Sequence, residues 1–530
     1  MLMDQRLQTL LDDLQRAVSL SVADQARCAR RAKWLAEADE AQLLEFFAAV
    51  ATLALPLSTQ ADALLHAALA ACVGQRRKQS AERRSSQAPV DNAALRQSLV
   101  ELYRHLGPES RARHQLLVWL AVAGGEGDLA ALASLLVDDP PQEEEDVVQS
   151  LAPLFTQRTF PVEALFPKLL EAMSNPILAA PVLDLANYLT REKRTASHPA
   201  MERKQELIGL LGRMAESLSR MEERPMELDE SPVELSRRIA GSVALSVSLC
   251  DALAHIRDDA AIPKLYQILE LGHRRLRTEA AAALARLGEQ TGIDELIKMA
   301  AEPVARLRAL AYADELRVSD KIDAKYRSPE ARAEAELTVW LAEPTQFGVP
   351  PTQCELFDRR EQFWPGFAAA VDCFLWRFSY TITLEGQGER TYSNIGIAGP
   401  LVHAFTADLA DLPPDDIYAA YAGWHAAHEE IFEHDVERLS RSEKTEVARL
   451  ERRLHDAGYT SIEPQQMGYF FGERALVALA DRDGLPGVAV ADFQDTLFFP
   501  KRNPRRPLGP REAYSIYKGR KLLRTFNRAE

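Results

Sequence analysis

Apolar residues recur along this chain at two spacings. As far as Trp340 they return every three or four positions, the period of one helix face. Leu7, Leu10, Leu11 and Leu14 form one such stripe, and Leu43, Leu44, Phe47 and Val50 another. Pro56 ends that second helix, and Ser58-Thr59 supplies an N-cap for the next. Beyond Trp340 the helical period fades. Residues 372–384 alternate, with Phe374, Trp376, Phe378, Tyr380 and Ile382 on one parity. That predicts a half-buried strand, and residues 391–397 read as its partner. Pro413, Pro414 and the acidic residues around them predict a helix over 417–432, with a second helix over 435–457. Alternation returns over 468–480 and 487–500, around the hairpin signal Asp481-Arg-Asp-Gly484. Residues 511–527 read as a basic amphipathic helix.

The helical part contains a repeat. Ala252, Leu253 and Ala254 match Ala283, Leu284 and Ala285, 31 residues later. Ile256 matches Leu287, Ile262 matches Ile293, Leu265 matches Leu296, and Ile268 matches Met299. Each copy is followed by a similar helix start, Arg275-Leu276-Arg277 and then Arg306-Leu307-Arg308. A fixed period of this length means stacked helix pairs that complete each other's core. Leu120 and Leu151 share the 31-residue spacing, as do Leu154 and Leu185, so the stack extends to about residue 96.

These residues resemble HEAT-like repeats, in particular the short type named after phycobilisome lyases. The resemblance lies in the Arg-rich helix start, the small Ala contacts, the Leu287-Gly288 turn and Ile293-Asp-Glu-Leu296. It implies a protein-interaction scaffold. The chain beyond residue 340 resembles no family we can name.

The expected fold class is mainly α: an α-α superhelix, a HEAT-like solenoid, followed by an α+β domain with an antiparallel sheet. The expected boundaries are an N-terminal helical segment over 1–73 and a basic flexible linker over 74–95. The solenoid follows over 96–340, and the α+β domain over 341–530.

Composition narrows the function. The net charge of −15 argues against a nucleic-acid footprint over the whole chain and disfavours anionic membranes. No run reaches the roughly 18 apolar residues of a membrane-spanning helix. The five cysteines form no CxxC pair, which fits a cytoplasmic location. The opening residues carry no basic-then-apolar leader pattern.

Several constellations could carry chemistry. On a helix, His425, His428 and Glu429 share a face and could hold Zn²⁺ or Fe²⁺, with Glu433 or His434 as base or further ligand. The order matches no zinc-protease motif. Gly396 and Gly399, between a strand and a helix expected over 401–409, could present backbone N–H groups to an anion, although a tight turn explains them as well. Asp481, Asp483, Asp492 and Asp495 could do acid/base work, although a hairpin turn needs such residues anyway. Arg505, Arg506, Lys518, Arg520, Lys521 and Arg524, interleaved with Tyr514, Tyr517 and Phe526, could grip single-stranded nucleic acid or dock on the protein's own acidic surface. Docking on itself is the favoured reading. No cofactor-binding motif is present, and Cys250 reads as a small buried hydrophobe.

The leading functional expectation is a non-enzymatic cytoplasmic scaffold for a protein partner, with no membrane role and no nucleic acid. The expected partner contacts are Arg274, Arg275, Arg277, Arg306 and Arg308. Internal pairing of these arginines with Asp258, Asp259 and Glu289 is the competing reading. Two rivals remain: an enzyme built around His425, His428 and Glu429, and a nucleic-acid adaptor using the basic C-terminus.

Overall fold

A computed structural model describes the chain except residues 1–3, 17–29, 83–91, 158, 224–230, 385–387, 427–430, 471 and 528–530, and the side chains of 80–82, 232, 384 and 431–434. It forms two compact units, Met1–Ile293 and Asp294–Glu530. It is mainly α, with the antiparallel sheets confined to the second unit.

The first unit is a two-layered helical stack. One layer runs through Lys33–Glu37, Thr59–Glu82, Ala112–Ala123, Glu144–Thr156, Ala179–Arg191, Pro232–Ile256 and Arg274–Arg286. The other holds Glu40–Val50, Ala93–His105, Glu126–Asp138 and the 3₁₀ segment Lys168–Ser174, then Lys204–Glu223 and Ile262–Leu269. Helices therefore pack against their second neighbours in sequence, as stacked pairs must. One continuous apolar core runs from Leu7 to Leu284. Leu120, Leu151, Leu154 and Leu185, which carry the expected period, all lie in it.

Two details differ from expectation. The stack begins well before residue 96, because the N-terminal helices share its core. Also, the stretch expected to be a linker starts as helix, which continues to Glu82. Its Gln, Arg, Lys and Ala residues are strong helix formers, and the Arg76 guanidinium lies 4.7 Å over the Trp119 ring. Residues 83–91 lie outside the described residues.

Pro232–Ile256 is long and apolar enough to cross a membrane by composition. Here its Leu245, Leu249, Leu253 and Ile256 face the core. A Ser231–Glu234 capping box with Pro232 at its first turn starts it, and Arg257 in the left-handed conformation (φ 58°) ends it.

The second unit continues with Pro303–Glu315 and Pro329–Leu341, then two antiparallel sheets. The first sheet is β1 (Gln353–Phe363), β2 (Ala370–Leu384), β3 (Gly388–Ala398) and β4 (His403–Ala404), in that order. The second is β5 (Ile431–Asp435), β6 (Thr460–Phe470), β7 (Glu473–Arg482), β8 (Leu485–Ala491) and β9 (Thr496–Pro500), also in order. Helix Pro329–Leu341 covers one face of the first sheet, with Ala333, Leu337 and Leu341 against Phe374, Trp376, Phe378 and Tyr380. It was expected to end the solenoid. Helix Pro414–His425 covers the other face, over Cys373, Leu375, Ile395 and Ile397. The strand expected to be half-buried is thus covered on both sides. Around the second sheet, helix Arg441–Asp456 packs Val447, Leu450 and Leu454 on one face. Helix Pro510–Phe526 packs Tyr514, Ile516 and Tyr517 on the other.

The two inner helices pair closely. A Cβ on Gly423 would lie 1.9 Å from the Ser515 carbonyl, and one on Gly519 would lie 1.8 Å from that of Ala419. Only glycine allows this approach. Asp416, at the start of one helix, meets Arg520 near the end of the other, so the pair is antiparallel. The result is a five-layered unit: helix, sheet, helix pair, sheet, helix.

This layering has an internal repeat. Pro414, Tyr418, Tyr421 and Gly423 are matched by Pro510, Tyr514, Tyr517 and Gly519, each 96 residues later. Each half runs outer helix, meander, inner helix, and each outer helix opens on a capping serine, Ser328 or Ser440.

Candidate functional site

A group of charged residues in the first unit gathers on one layer. Asp251 receives Arg191 Nη2 at 2.5 Å and Arg286 Nη1 at 3.0 Å, with His255 Nε2 at 3.5 Å. One helix over, Asp184 accepts the Ser248 hydroxyl at 2.6 Å. The Asp184 side chain is exposed, yet crowding by the surrounding helices, and then the Asp251 carboxylate, hold its pKa above the ordinary value against Ser248, Arg275 and Arg191. Glu144, on the preceding helix, is raised by desolvation and by Asp184. Glu144, Asp184 and Asp251 therefore form a row across three successive helices of the layer, flanked by arginines. Asn187 anchors the floor: its amide donates to the Ser248 carbonyl at 3.0 Å, and its Oδ1 lies 2.9 Å from His198 Nε2. Such a row can pair with charged side chains of another polypeptide.

Arg274 and Arg275 are exposed at the start of the next helix, Arg277 is half-buried, and Arg308 is exposed. Arg306 differs from expectation: it is 3% exposed. Its guanidinium donates to the carbonyls of Ala300 (2.9 Å), Ala301 (3.1 Å) and Ala331 (2.7 Å) and to Glu334 (2.6 Å). It ties the end of one helix to a later one and is spent there. Among the acidic residues weighed as internal partners, Asp258 binds Lys204 (2.8 Å) and Glu289 accepts the Tyr266 hydroxyl (2.9 Å).

The proposed histidine face lacks its helix. That helix ends at His425, with Ala426 extended (ψ 95°), and residues 431–435 are strand β5. Pairing of Ile431 with Phe470 and Phe432 with Tyr469 outcompetes the helical continuation. His434 sits opposite Met467 in that strand, and His428 and Glu429 lie outside the described residues. Trp364 donates its indole N–H to His425 Nδ1 at 3.1 Å, which occupies one ring nitrogen. His403 stacks on Trp424, at 4.0 Å and 7° between planes, and desolvation lowers its pKa to about 4. Among the described residues, no group of three or more His, Cys, Asp or Glu could hold a metal ion.

The four aspartates divide between two turns. Asp483 (φ 53°) and Gly484 (φ 78°) form the hairpin between β7 and β8. Asp492 caps the turn after β8, with Oδ1 accepting the N–H of Gln494 (2.7 Å) and Asp495 (2.6 Å). The seven residues of β8 hold these turns about 20 Å apart. The glycine turn is structural as well. Buried Asn394 binds Phe405, Ala407, Ile395 and Leu409, and Gly399 (φ 110°) turns the chain where a Cβ would strike the Asp372 carbonyl. The short strand β4 replaces the helix expected after Pro400.

The basic C-terminal helix is no exposed amphipath. Residues 513–519 are buried. Arg520 Nε binds Asp416 at 2.7 Å, and Lys521 binds Asp492 at 2.7 Å and also Glu473. Buried Lys518 lies over the Tyr514 ring at 4.9 Å. Arg506 lies 4.0 Å over Tyr392 and meets Asp408 at 3.2 Å. Only Arg505 and Arg524 of the six candidate residues are exposed. The charges that suggested nucleic acid mostly hold this unit together.

Sequence reasoning missed the Glu144–Asp184–Asp251 row, because its members lie 40 and 67 residues apart and share no motif. It also missed the 96-residue repeat, which is legible as Pro-x-x-x-Tyr-x-x-Tyr-x-Gly in both copies.

Neither a curated protein nor a solved structure matches the chain. The family model for HEAT repeats matches residues 240–316. That stretch contains the 31-residue period and the exposed arginine helix start, and over it the chain is similar to HEAT repeats.

Proposed function

We propose that the chain is a cytoplasmic scaffold that captures a protein partner through the charged layer of its helical stack. The observation that carries this reading is the exposed start of helix Arg274–Arg286, where the Arg275 charge reaches Asp184 of the Glu144–Asp184–Asp251 row. HEAT-like repeats commonly mediate protein–protein contact, which supports the reading. The finer resemblance, to the short phycobilisome-lyase type, belongs to this proposal and rests on the Arg-rich helix start, the small Ala contacts, the Leu287-Gly288 turn and Ile293-Asp-Glu-Leu296.

The test is affinity capture from native cells with the wild-type chain and with Arg274→Glu/Arg275→Glu. The reading expects a stoichiometric partner that the charge-reversed chain loses while its unfolding temperature is unchanged. Equal capture by both chains moves the interface elsewhere. Loss of the fold makes the arginines structural.

A further inference from the structure

The duplicated halves of the second unit differ at one place. In each half the strand that follows the outer helix opens the meander: β1 in the first, β6 in the second. Both are 11 residues long and both end in phenylalanine, Phe363 and Phe470. In the second half, β5 lies along the outer side of β6, with Ile431 opposite Phe470 and Asp435 opposite Gln466. In the first half β1 ends its sheet, with no strand beside it among the described residues.

The open side of β1 is able to form hydrogen bonds. Phe363 turns both its backbone groups away from β2: its N–H donates to Asn527 Oδ1 at 2.7 Å, and its carbonyl accepts Asn527 Nδ2 at 3.1 Å. A side-chain amide here does what the backbone of a neighbouring strand would do. By the alternation of an antiparallel ladder, Glu361 and Arg359 turn their N–H and carbonyl groups the same way. The pairing with β2 is regular from Asp358 to Phe363. Beside this row, Leu356 and Phe363 are 45% and 44% exposed. An open edge flanked by exposed apolar side chains is a template for strand addition.

We propose that the free edge of β1 accepts an extended segment of a partner polypeptide, added antiparallel as β5 is added to β6. The segment would place alternate apolar side chains beside Leu356 and Phe363. Asn527 marks where the added strand stops. This inference does not rest on the solenoid reading, because β1 and Arg274 lie in different units.

The test uses the full chain as bait for a phage-displayed library of unconstrained short peptides. Glu361→Pro is the diagnostic variant. Its N–H faces away from β2, so proline keeps the sheet yet removes a donor from the open edge. The expected result is a set of peptides with alternating apolar residues whose binding weakens about tenfold or more in Glu361→Pro. Hydrogen exchange in the wild-type chain should show the Arg359 and Glu361 amides slowed by bound peptide, a readout that stands even if the proline variant fails to fold. Arg274→Glu should leave peptide binding unchanged. Three results overturn the proposal. One is that no peptide is selected. Another is peptides that bind without protecting those amides or that bind Glu361→Pro equally well. The third is a wild-type chain that self-associates through this edge and becomes monomeric in Glu361→Pro, which assigns the edge to a second copy.

Discussion

The two units solve the same problem in opposite ways. The first buries small residues between many similar helices, as in Ala280, Ala281, Ala282 and Ala283 of helix Arg274–Arg286. Each layer needs only its neighbours, so insertions between repeats are tolerated. The second buries Tyr418, Tyr421, Tyr514 and Tyr517 around two glycines in a single central seam. There the whole unit depends on one helix pair. The stack spreads its stability along the chain, while the layered unit concentrates it.

The sharpest way to break this comparison is Gly519→Leu. A side chain there must displace the backbone of helix Pro414–His425, since even a Cβ falls 1.8 Å from the Ala419 carbonyl. The expected cost is about 3 kcal/mol or more, read as loss of the second unit's unfolding transition in denaturant while the helical stack still unfolds cooperatively. Loss of both transitions together would end the claim that the units are separately organised.

Arg306→Ala should cost nearly as much, about 3 kcal/mol, because it leaves three carbonyls and Glu334 without their shared donor. Arg306→Lys should recover only part of that, since one ammonium cannot reproduce the guanidinium fork. Thermal unfolding of the two variants against wild type decides it. In the stack, Leu284→Ala removes a fully buried side chain, and about 2–3 kcal/mol is expected, with the loss confined to the first unit.

An effect confined to acid pH comes from His198, which is 2% exposed with its pKa lowered to about 4 by burial and by nearby His255. Its Nδ1 accepts the Ala200 N–H at 3.1 Å, so Nε2 carries the proton toward Asn187. Between pH 6.5 and about 4 the unfolded chain binds a proton at this position that the folded chain refuses. Stability from this group is therefore complete above pH 6.5 and is lost as pH falls to about 4. The full size, reached near pH 4, is on the order of 3 kcal/mol. His198→Gln should flatten that part of the stability–pH curve. An unchanged slope would show that other groups govern acid unfolding of the stack.

Legibility followed locality. The stripes at Leu7–Leu14, the period linking Leu284 to Leu253, and the alternation of β2 are all local patterns, and all three elements are present. The Asp483-Gly484 turn was legible for the same reason: its chemistry lies within the turn itself. The first part of the linker expected over 74–95 is helix to Glu82, because polar composition does not distinguish a solvated coil from a helix that lays one arginine over a tryptophan. The helix expected through Phe432 failed because strand pairing of Ile431 with Phe470, 39 residues away, competed with its propensity.

By itself, then, the sequence determined the class of many long elements, the stacking of helix pairs and the presence of an α+β region after them, while strand β1 (Gln353–Phe363) carried no alternating signal that marked it. Local periodicity specifies which face is buried, and that suffices for these. Tertiary structure alone decided what each charge does. Arg306 and Arg308 look alike in sequence, yet one is buried among carbonyls and the other is exposed. The basic C-terminus looks like a binding surface until Asp416, Glu473 and Asp492 are seen to meet it. A charge carries no periodic signal of its own, and its role depends on which distant group the fold brings within hydrogen-bonding reach.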